Sequence, residues 1–76
     1  MQIYRTSCLA LAALLSMSLP IESIDRSDAR RMWFSFSRTD DLDRYVEAYY
    51  RREVNVEPQG YFESIKAMKT RLYDAG

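Results

Sequence analysis

The sequence contains no histidine and a single cysteine, and both shortages restrict its chemistry. Without histidine, the chain lacks the side chain that most often acts as a general base or zinc ligand near neutral pH. With Cys8 alone, an internal disulfide bond cannot form, so the chain lacks the crosslinks that small secreted domains usually need. These absences predict a domain that is not an enzyme, needs no metal or cofactor, and resides in the cytoplasm.

The sequence also has no excess of charge of either sign. Eleven lysines and arginines balance eleven aspartates and glutamates, so no long-range field draws the whole molecule to nucleic acid or to an anionic membrane. Any basic surface must therefore be local. Nine of the eleven cations are arginines, which make planar bidentate contacts with carboxylates and phosphates, and this bias favours an interface.

No apolar run is long enough to cross a bilayer, which takes roughly 20 residues. The longest run lies at residues 8–15, preceded by Arg5 and followed by the small-residue pattern Ser16-Met17-Ser18. That arrangement is compatible with a cleaved signal peptide. We instead expect a buried helix, because residues 1–5 are typical of a short strand and Thr6 or Ser7 can cap a helix.

What is present fits one α+β domain over residues 1–76, since a chain of this length has room for one core. A second strand is expected at 21–26, a polar turn at 27–30 and a third strand at 31–37. The third strand alternates, so one face should be core and the other open. The core face has Met32, Phe34 and Phe36, and the other has Arg31, Trp33, Ser35 and Ser37.

Two more helices follow the strands. Thr39 can cap the second helix, whose expected apolar stripe is Leu42, Tyr45, Val46 and Tyr49, with Arg44, Glu47, Tyr50 and Arg51 nearer solvent. Pro58 suits the first turn of the third helix, whose expected stripe is Phe62, Ile65, Met68 and Leu72. The predicted order is β-α-β-β-α-α, with a three-stranded sheet and three helices. If the first two strands are parallel, a right-handed helical crossover joins them.

Several segments resemble a family of small domains of unknown function from phages, prophages and other mobile elements. They are Leu11-Ala12-Ala13, Phe34-x-Phe36, Leu42-x-x-Tyr45-Val46-x-x-Tyr49, Val56-x-Pro58-x-x-Tyr61-Phe62 and Lys69-x-Arg71-Leu72-Tyr73. The resemblance supports the fold and implies a gene on a mobile element. Many short products of such genes occlude or redirect a host protein, so it implies an accessory or anti-defence protein.

The leading functional hypothesis is a non-catalytic protein-binding module, because tryptophan and arginine are enriched among interface hot spots. Its candidate partner-binding residues are Arg31, Trp33, Tyr50, Arg51 and Arg52. A helix covering the outer face of the third strand would instead make Trp33 a core residue. The alternatives are a homodimeric structural protein and a nucleic-acid-binding domain, the latter using Arg51, Arg52, Lys66, Lys69, Arg71 and Tyr73.

Two smaller features have ordinary structural explanations. Cys8 lies near a helix start, where a thiol can be activated, but a buried apolar position is the commoner fate of a free cysteine. Asp40, Asp41 and Asp43 open the second helix, where carboxylates favour the positive end of the helix dipole. Neither feature predicts a catalytic or metal site.

Overall fold

The computed structural model describes residues 2–28 and 30–74, with the backbone alone for residues 72–74. Within these residues the chain forms three strands and three helices in the predicted order. The elements are β1 (Ile3–Thr6), α1 (Leu9–Ser16), β2 (Ser23–Asp25), β3 (Trp33–Ser37), α2 (Asp40–Tyr50) and α3 (Pro58–Asp74). Met1, Ala29 and Gly76, which the sequence places in the first strand, the turn and the chain end, lie outside the described residues.

The strands form one antiparallel sheet in the order β1-β3-β2. β1 and β2 run in the same direction but do not pair, because β3 lies between them and is antiparallel to both. The predicted hairpin of β2 and β3 is confirmed. The sequence left open whether the first two strands pair in parallel; they are instead separated by β3, the strand with the largest buried side chains, which takes the central position.

The two faces of the sheet differ in composition as the alternation of β3 predicts, but the face expected to be open is not fully so, because Ser35 in the central strand is buried. Phe34 and Phe36 are buried, and the register aligns them with Ile24 of β2 and Tyr4 of β1, so all four face the helices. Met32 precedes β3 and is only partly buried. The opposite face, here called the outer face, contains Trp33 and Ser35 and none of the buried cluster's large apolar residues.

α1 is apolar on all sides because it lies in the middle of the helical layer. Its buried residues are Leu11, Ala12, Ala13, Leu14 and Leu15. α2 and α3 both pack against it. The Ser64 hydroxyl donates to the carbonyl of Ala13 at 2.8 Å, which satisfies one of the acceptors that a helix leaves unpaired in its last turn.

The ends of α1 differ from the prediction. Cys8, rather than Thr6 or Ser7, is its N-cap residue. Thr6 lies two residues too early, and its hydroxyl accepts the Cys8 N–H at 3.1 Å just before the helix begins. The helix ends at Ser16, four residues before Pro20. A Ser16 hydroxyl bond to the Ala13 carbonyl, at 2.8 Å, accompanies this earlier end.

The predicted stripes of α2 and α3 each contain one wrong residue. Leu42 is buried and the Thr39 hydroxyl accepts the Leu42 N–H at 3.1 Å, as expected, but Tyr45 is exposed at the flank of the stripe. In α3 the buried stripe begins at Tyr61, and Phe62 is 60% exposed. Tyr61 takes the inner position because its hydroxyl finds an acceptor there. None of the helices in the described part of the chain is long and apolar enough to cross a membrane.

Candidate functional site

Three of the six tyrosines, Tyr4, Tyr49 and Tyr61, lie near Cys8 at the N-terminus of α1, and Tyr50 joins them through its contact with the Tyr49 ring. They come from three other elements, β1, α2 and α3, so only the folded chain brings them together. We call this group the tyrosine cluster: Cys8, Tyr4, Tyr49, Tyr50 and Tyr61. Of these residues, the predicted partner-binding set contains Tyr50 alone; Tyr49 and Tyr61 occur in the segments that resemble the family, but no pattern in the sequence shows that they meet at Cys8.

Direct contacts fix the rings of the cluster in place. The Tyr49 hydroxyl and the Cys8 sulfur are 3.6 Å apart, and the Tyr61 hydroxyl donates to the Ala10 carbonyl at 2.9 Å. The rings of Tyr49 and Tyr50 meet edge to face, with centroids 5.4 Å apart, an arrangement that aromatic pairs prefer. The cluster is therefore ordered before any partner arrives.

The cluster is open to solvent on one side. Cys8 is exposed, so the expectation that it would be buried is wrong. Its position as N-cap residue turns the thiol out of the helix, whose buried face starts later, at Leu11. Tyr50 is 68% exposed, whereas Tyr4, Tyr49 and Tyr61 are half-buried. The cluster therefore combines one solvent-exposed ring with three rings that are partly buried against the domain.

Contacts within the cluster shift the pKa values of Cys8, Tyr4, Tyr49 and Tyr61. Partial burial raises the pKa of Cys8, but hydrogen bonds from the Leu11 N–H, the Tyr49 hydroxyl and the Ala10 N–H outweigh it and lower the pKa overall. The hydrogen bond with Cys8, followed by burial, raises the pKa of Tyr49 to about 12. Burial is also the main cause of the raised pKa of Tyr4 and of Tyr61. The proton between Cys8 and Tyr49 accordingly stays with the phenol.

Arg51 and Arg52 continue the surface beyond Tyr50. Arg51 is exposed and forms an ion pair with Glu47 at 2.7 Å. Arg52 has a φ of 59°, in the left-handed region that usually holds glycine. The N–H of Arg52 bonds to the Tyr49 carbonyl, and the next N–H, that of Glu53, bonds to the Ala48 carbonyl. These two bonds close α2 in a Schellman motif.

Trp33 and Arg31, the other predicted partner-binding residues, lie apart from the tyrosine cluster. Trp33 is on the outer face, away from the helical layer, and is half-buried; Arg31 is exposed in the β2–β3 loop. The Arg5 guanidinium lies 5.1 Å from the Trp33 ring centroid and pairs with Asp25 at 3.2 Å. Sequence reasoning missed Arg5, whose position depends on the pairing of β1 with β3.

The described residues of the alternative nucleic-acid patch belong to two elements. Arg51 and Arg52 follow the last residue of α2, whereas Lys66, Lys69 and Arg71 lie in the later turns of α3. Lys66 lies over the Phe62 ring, at 5.4 Å from its centroid. The Tyr73 side chain lies outside the described residues.

Two other charged features of α2 have local partners. Asp43 pairs with Arg38 at 3.1 Å, and Asp41 pairs with Arg44. A shallow depression of about 160 Å³ lies against the helix, lined by Arg44, Glu47, Ala48, Arg51 and Glu53. It is smaller than the roughly 300–1,000 Å³ of sites for small molecules.

Comparison with known proteins gives one match. A family model described as "Domain of unknown function (DUF5659)" matches residues 1–74. No curated protein and no solved structure matches the chain.

Proposed function

Because this chain belongs to the DUF5659 family of domains of unknown function, we propose a function from its own surface: it is a non-catalytic protein-binding module. The tyrosine cluster is its contact surface. The observation that supports this proposal most is the convergence of tyrosines from β1, α2 and α3 on the exposed start of α1. A core that needed only apolar filling would not require four phenol rings at one solvent-accessible place.

Tyrosine suits such a surface for two reasons. It is among the residues that dominate binding energy at protein interfaces, together with tryptophan and arginine. It also offers a large amphipathic area at a small entropy cost, because the side chain has few rotatable bonds. The contacts of Tyr49 with Cys8 and of Tyr61 with Ala10 reduce that cost further, since the rings are already held.

Tyr50 is the centre of the proposed surface, with Arg51 and Arg52 at its border. Tyr50 is the most exposed tyrosine of the cluster, and its ring contacts the Tyr49 ring edge to face. The two arginines add donors suited to carboxylates on a partner. Charge balance in the whole chain is compatible with a protein partner, whose binding does not require a large positive field.

The homodimer alternative has less support on the outer face. Strands of four, five and three residues, about 4.8 Å apart and rising about 3.3 Å per residue, give a face of about 190 Å². Stable interfaces need about 800 Å² from each partner. The free edge strands are also short, four residues in β1 and three in β2, which limits strand pairing between copies.

The cellular setting belongs to the same proposal. In this proposal the chain is a cytoplasmic accessory protein from a mobile element, and its partner is a host protein. The accessory protein would counter host defence if that partner is a defence protein. The family resemblance of the sequence supports this setting. The genes beside this one would test that origin directly, since a mobile element carries recognisable integration or packaging genes.

The test of protein binding is affinity capture from nuclease-treated host lysate, followed by quantitative mass spectrometry. The double variant Tyr50→Ala, Arg51→Ala removes the surface. A matched control, Arg44→Ala, Tyr45→Ala, removes the same residue types from the same helix, including an arginine that also has an ion pair. We expect proteins retained by wild type and control to be lost with the first variant. Equal retention by both variants would contradict the proposal.

A further inference from the structure

The two ends of β3 differ in charge, because the carboxylates after its last residue are balanced by Arg38 and Arg44, whereas the arginines before its first residue outnumber the nearby carboxylates. The strand begins at Trp33, directly after the β2–β3 loop, which spans residues 26–32 and contains three arginines. It ends at Ser37, from which the chain passes to Asp40, Asp41 and Asp43 at the start of α2. A local basic surface therefore exists in a molecule whose total charge is zero.

Contacts between elements assemble the basic end. The Arg26 guanidinium donates to the Arg71 carbonyl at 2.8 Å, so the β2–β3 loop meets the last turns of α3. On the outer face, Arg5 reaches Trp33 from β1. We call this group the arginine end: Arg5, Arg26, Arg30, Arg31 and Arg71.

The carboxylates at this end do not neutralise it. Asp25 and Asp28 are the aspartates within the loop region, so five arginines face two aspartates, a local excess of three positive charges among the described side chains. Asp25 also accepts the Ser27 N–H and hydroxyl, which with nearby Arg5 lower its pKa, and Asp28 accepts the Arg30 N–H. These bonds shape the loop backbone and leave the Arg30 and Arg31 side chains exposed.

We propose that the arginine end binds single-stranded nucleic acid. Guanidinium groups match phosphate oxygens in planar, bidentate geometry, and all five cations are arginines. Trp33 lies among them with its indole partly accessible, and base stacking on aromatic rings beside a basic track is the common mode of single-strand binding. This activity goes beyond protein binding and uses a different surface from the tyrosine cluster.

An ordinary structural explanation covers only part of the arrangement. Arg26 stabilises the C-terminal end of α3, and Arg5 stacks on Trp33 while pairing with Asp25. Those contacts explain the presence of two arginines. They do not account for the three exposed arginines, Arg30, Arg31 and Arg71, at the same end.

Trp33 provides the measurement, because it is the only tryptophan of the chain. Titration with a short oligothymidylate should change its fluorescence. On a single strand, each neutralised phosphate contributes about −0.7 to the slope of log affinity against log salt. Three neutralised phosphates should therefore give a slope of about −2. No binding at low salt, or binding with a slope near zero, would overturn the proposal.

Variants assign the site. Arg30→Gln, Arg31→Gln should weaken binding by at least about tenfold at low salt and bring the slope to about −0.7. The control Lys66→Gln, Lys69→Gln removes the same charge from α3 and should leave both values unchanged, as should Tyr50→Ala. Circular dichroism checks that each variant is folded. Equal effects of the arginine and lysine pairs would refute the assignment. If polyglutamate competes equally strongly at the same charge concentration, the ligand of the arginine end is an acidic protein and not a nucleic acid.

Discussion

Trp33 and Phe34 are neighbours in β3 whose side chains lie on opposite faces of the sheet. Phe34 is 1% exposed in the core, so we expect Phe34→Ala to lower the free energy of unfolding by about 3–5 kcal/mol. Trp33 is half-buried and packed by Arg5, so Trp33→Ala should cost less than about 2 kcal/mol. Urea unfolding of both variants checks the difference. Equal losses would mean that both faces of the sheet are core.

Cys8 and Tyr49 give a prediction for pH. Because the pKa of Cys8 is lowered, its thiolate fraction at a given pH is higher than that of free cysteine. The midpoint of iodoacetamide alkylation against pH should therefore lie below that of a free cysteine measured in the same buffer. Tyr49→Phe removes a hydrogen bond to the sulfur and should move the midpoint upward.

Tyr61→Phe is the control for that profile. Its hydroxyl bonds to the Ala10 carbonyl instead of the sulfur, so the midpoint should stay close to that of the wild type. Identical midpoints for the wild type and Tyr49→Phe would show that the contact between Tyr49 and Cys8 does not stabilise the thiolate.

Residue positions that depend on local pattern were predictable, and those that depend on long-range contacts were not. The alternation of β3 placed Phe34 and Trp33 correctly, and Thr39 was recognised as a cap. The exposure of Cys8 and the stacking of Arg5 on Trp33 follow from where other elements lie. A sequence pattern does not contain that information.

At the scale of elements, the end of α2 contains a strained residue. Arg52 adopts a positive φ, which costs a residue with a Cβ about 1–2 kcal/mol, whereas glycine has no such penalty. Glycine relieves this strain, but it also loses more backbone entropy than arginine when the chain folds. The net effect of Arg52→Gly should be a stabilisation of the domain by up to about 1 kcal/mol. Thermal unfolding measures the effect.

Arg51→Gly is the matched control, since Arg51 has a φ of −83°. Glycine there brings its entropy cost and removes the exposed ion pair with Glu47, so it should destabilise the domain. A loss of stability in both variants would contradict the strain at Arg52. If Arg52→Gly is stabilising yet weakens partner binding, the strained conformation is retained for the side chain that it presents at the border of the tyrosine cluster.

Helix existence was easier to predict than helix orientation. The periodic spacing of apolar residues identified α2 and α3. Where two aromatic residues are adjacent, however, that spacing does not show which of the two is buried. In α3, Tyr61 is inside and Phe62 outside, although phenylalanine is the more apolar. The Ala10 carbonyl decides the matter, because it pairs with the tyrosine hydroxyl and removes the cost of burying it.

At the scale of the whole molecule, one short helix organises both the core and the tyrosine cluster. α1 is buried between its neighbours, so its start is where β1, α2 and α3 converge and its N-cap is where the tyrosines meet. The arginine end forms elsewhere in the chain, where the β2–β3 loop meets α3. The element order was predictable, whereas the position of β3 between β1 and β2 was not, because no local pattern records strand order.

Two surfaces with different chemistry allow two functions to be separated by mutation. Tyr50 and Arg51 lie at the tyrosine cluster, and Arg30 and Arg31 lie at the arginine end. Salt separates the partners as well, since phosphate contacts make affinity fall steeply with ionic strength and a largely aromatic contact does not. Loss of both activities from either set of substitutions would mean that one surface serves both.

The most direct test of the central claim, that a protein partner contacts the tyrosine cluster, is photo-crosslinking in the native host. The photoreactive residue p-benzoylphenylalanine replaces Tyr50 in one sample and Tyr45, an exposed tyrosine earlier in the same helix, in the other. We predict a discrete protein adduct from position 50 that is absent or much weaker from position 45. No protein adduct from position 50, or the same adducts from both positions, would contradict the claim.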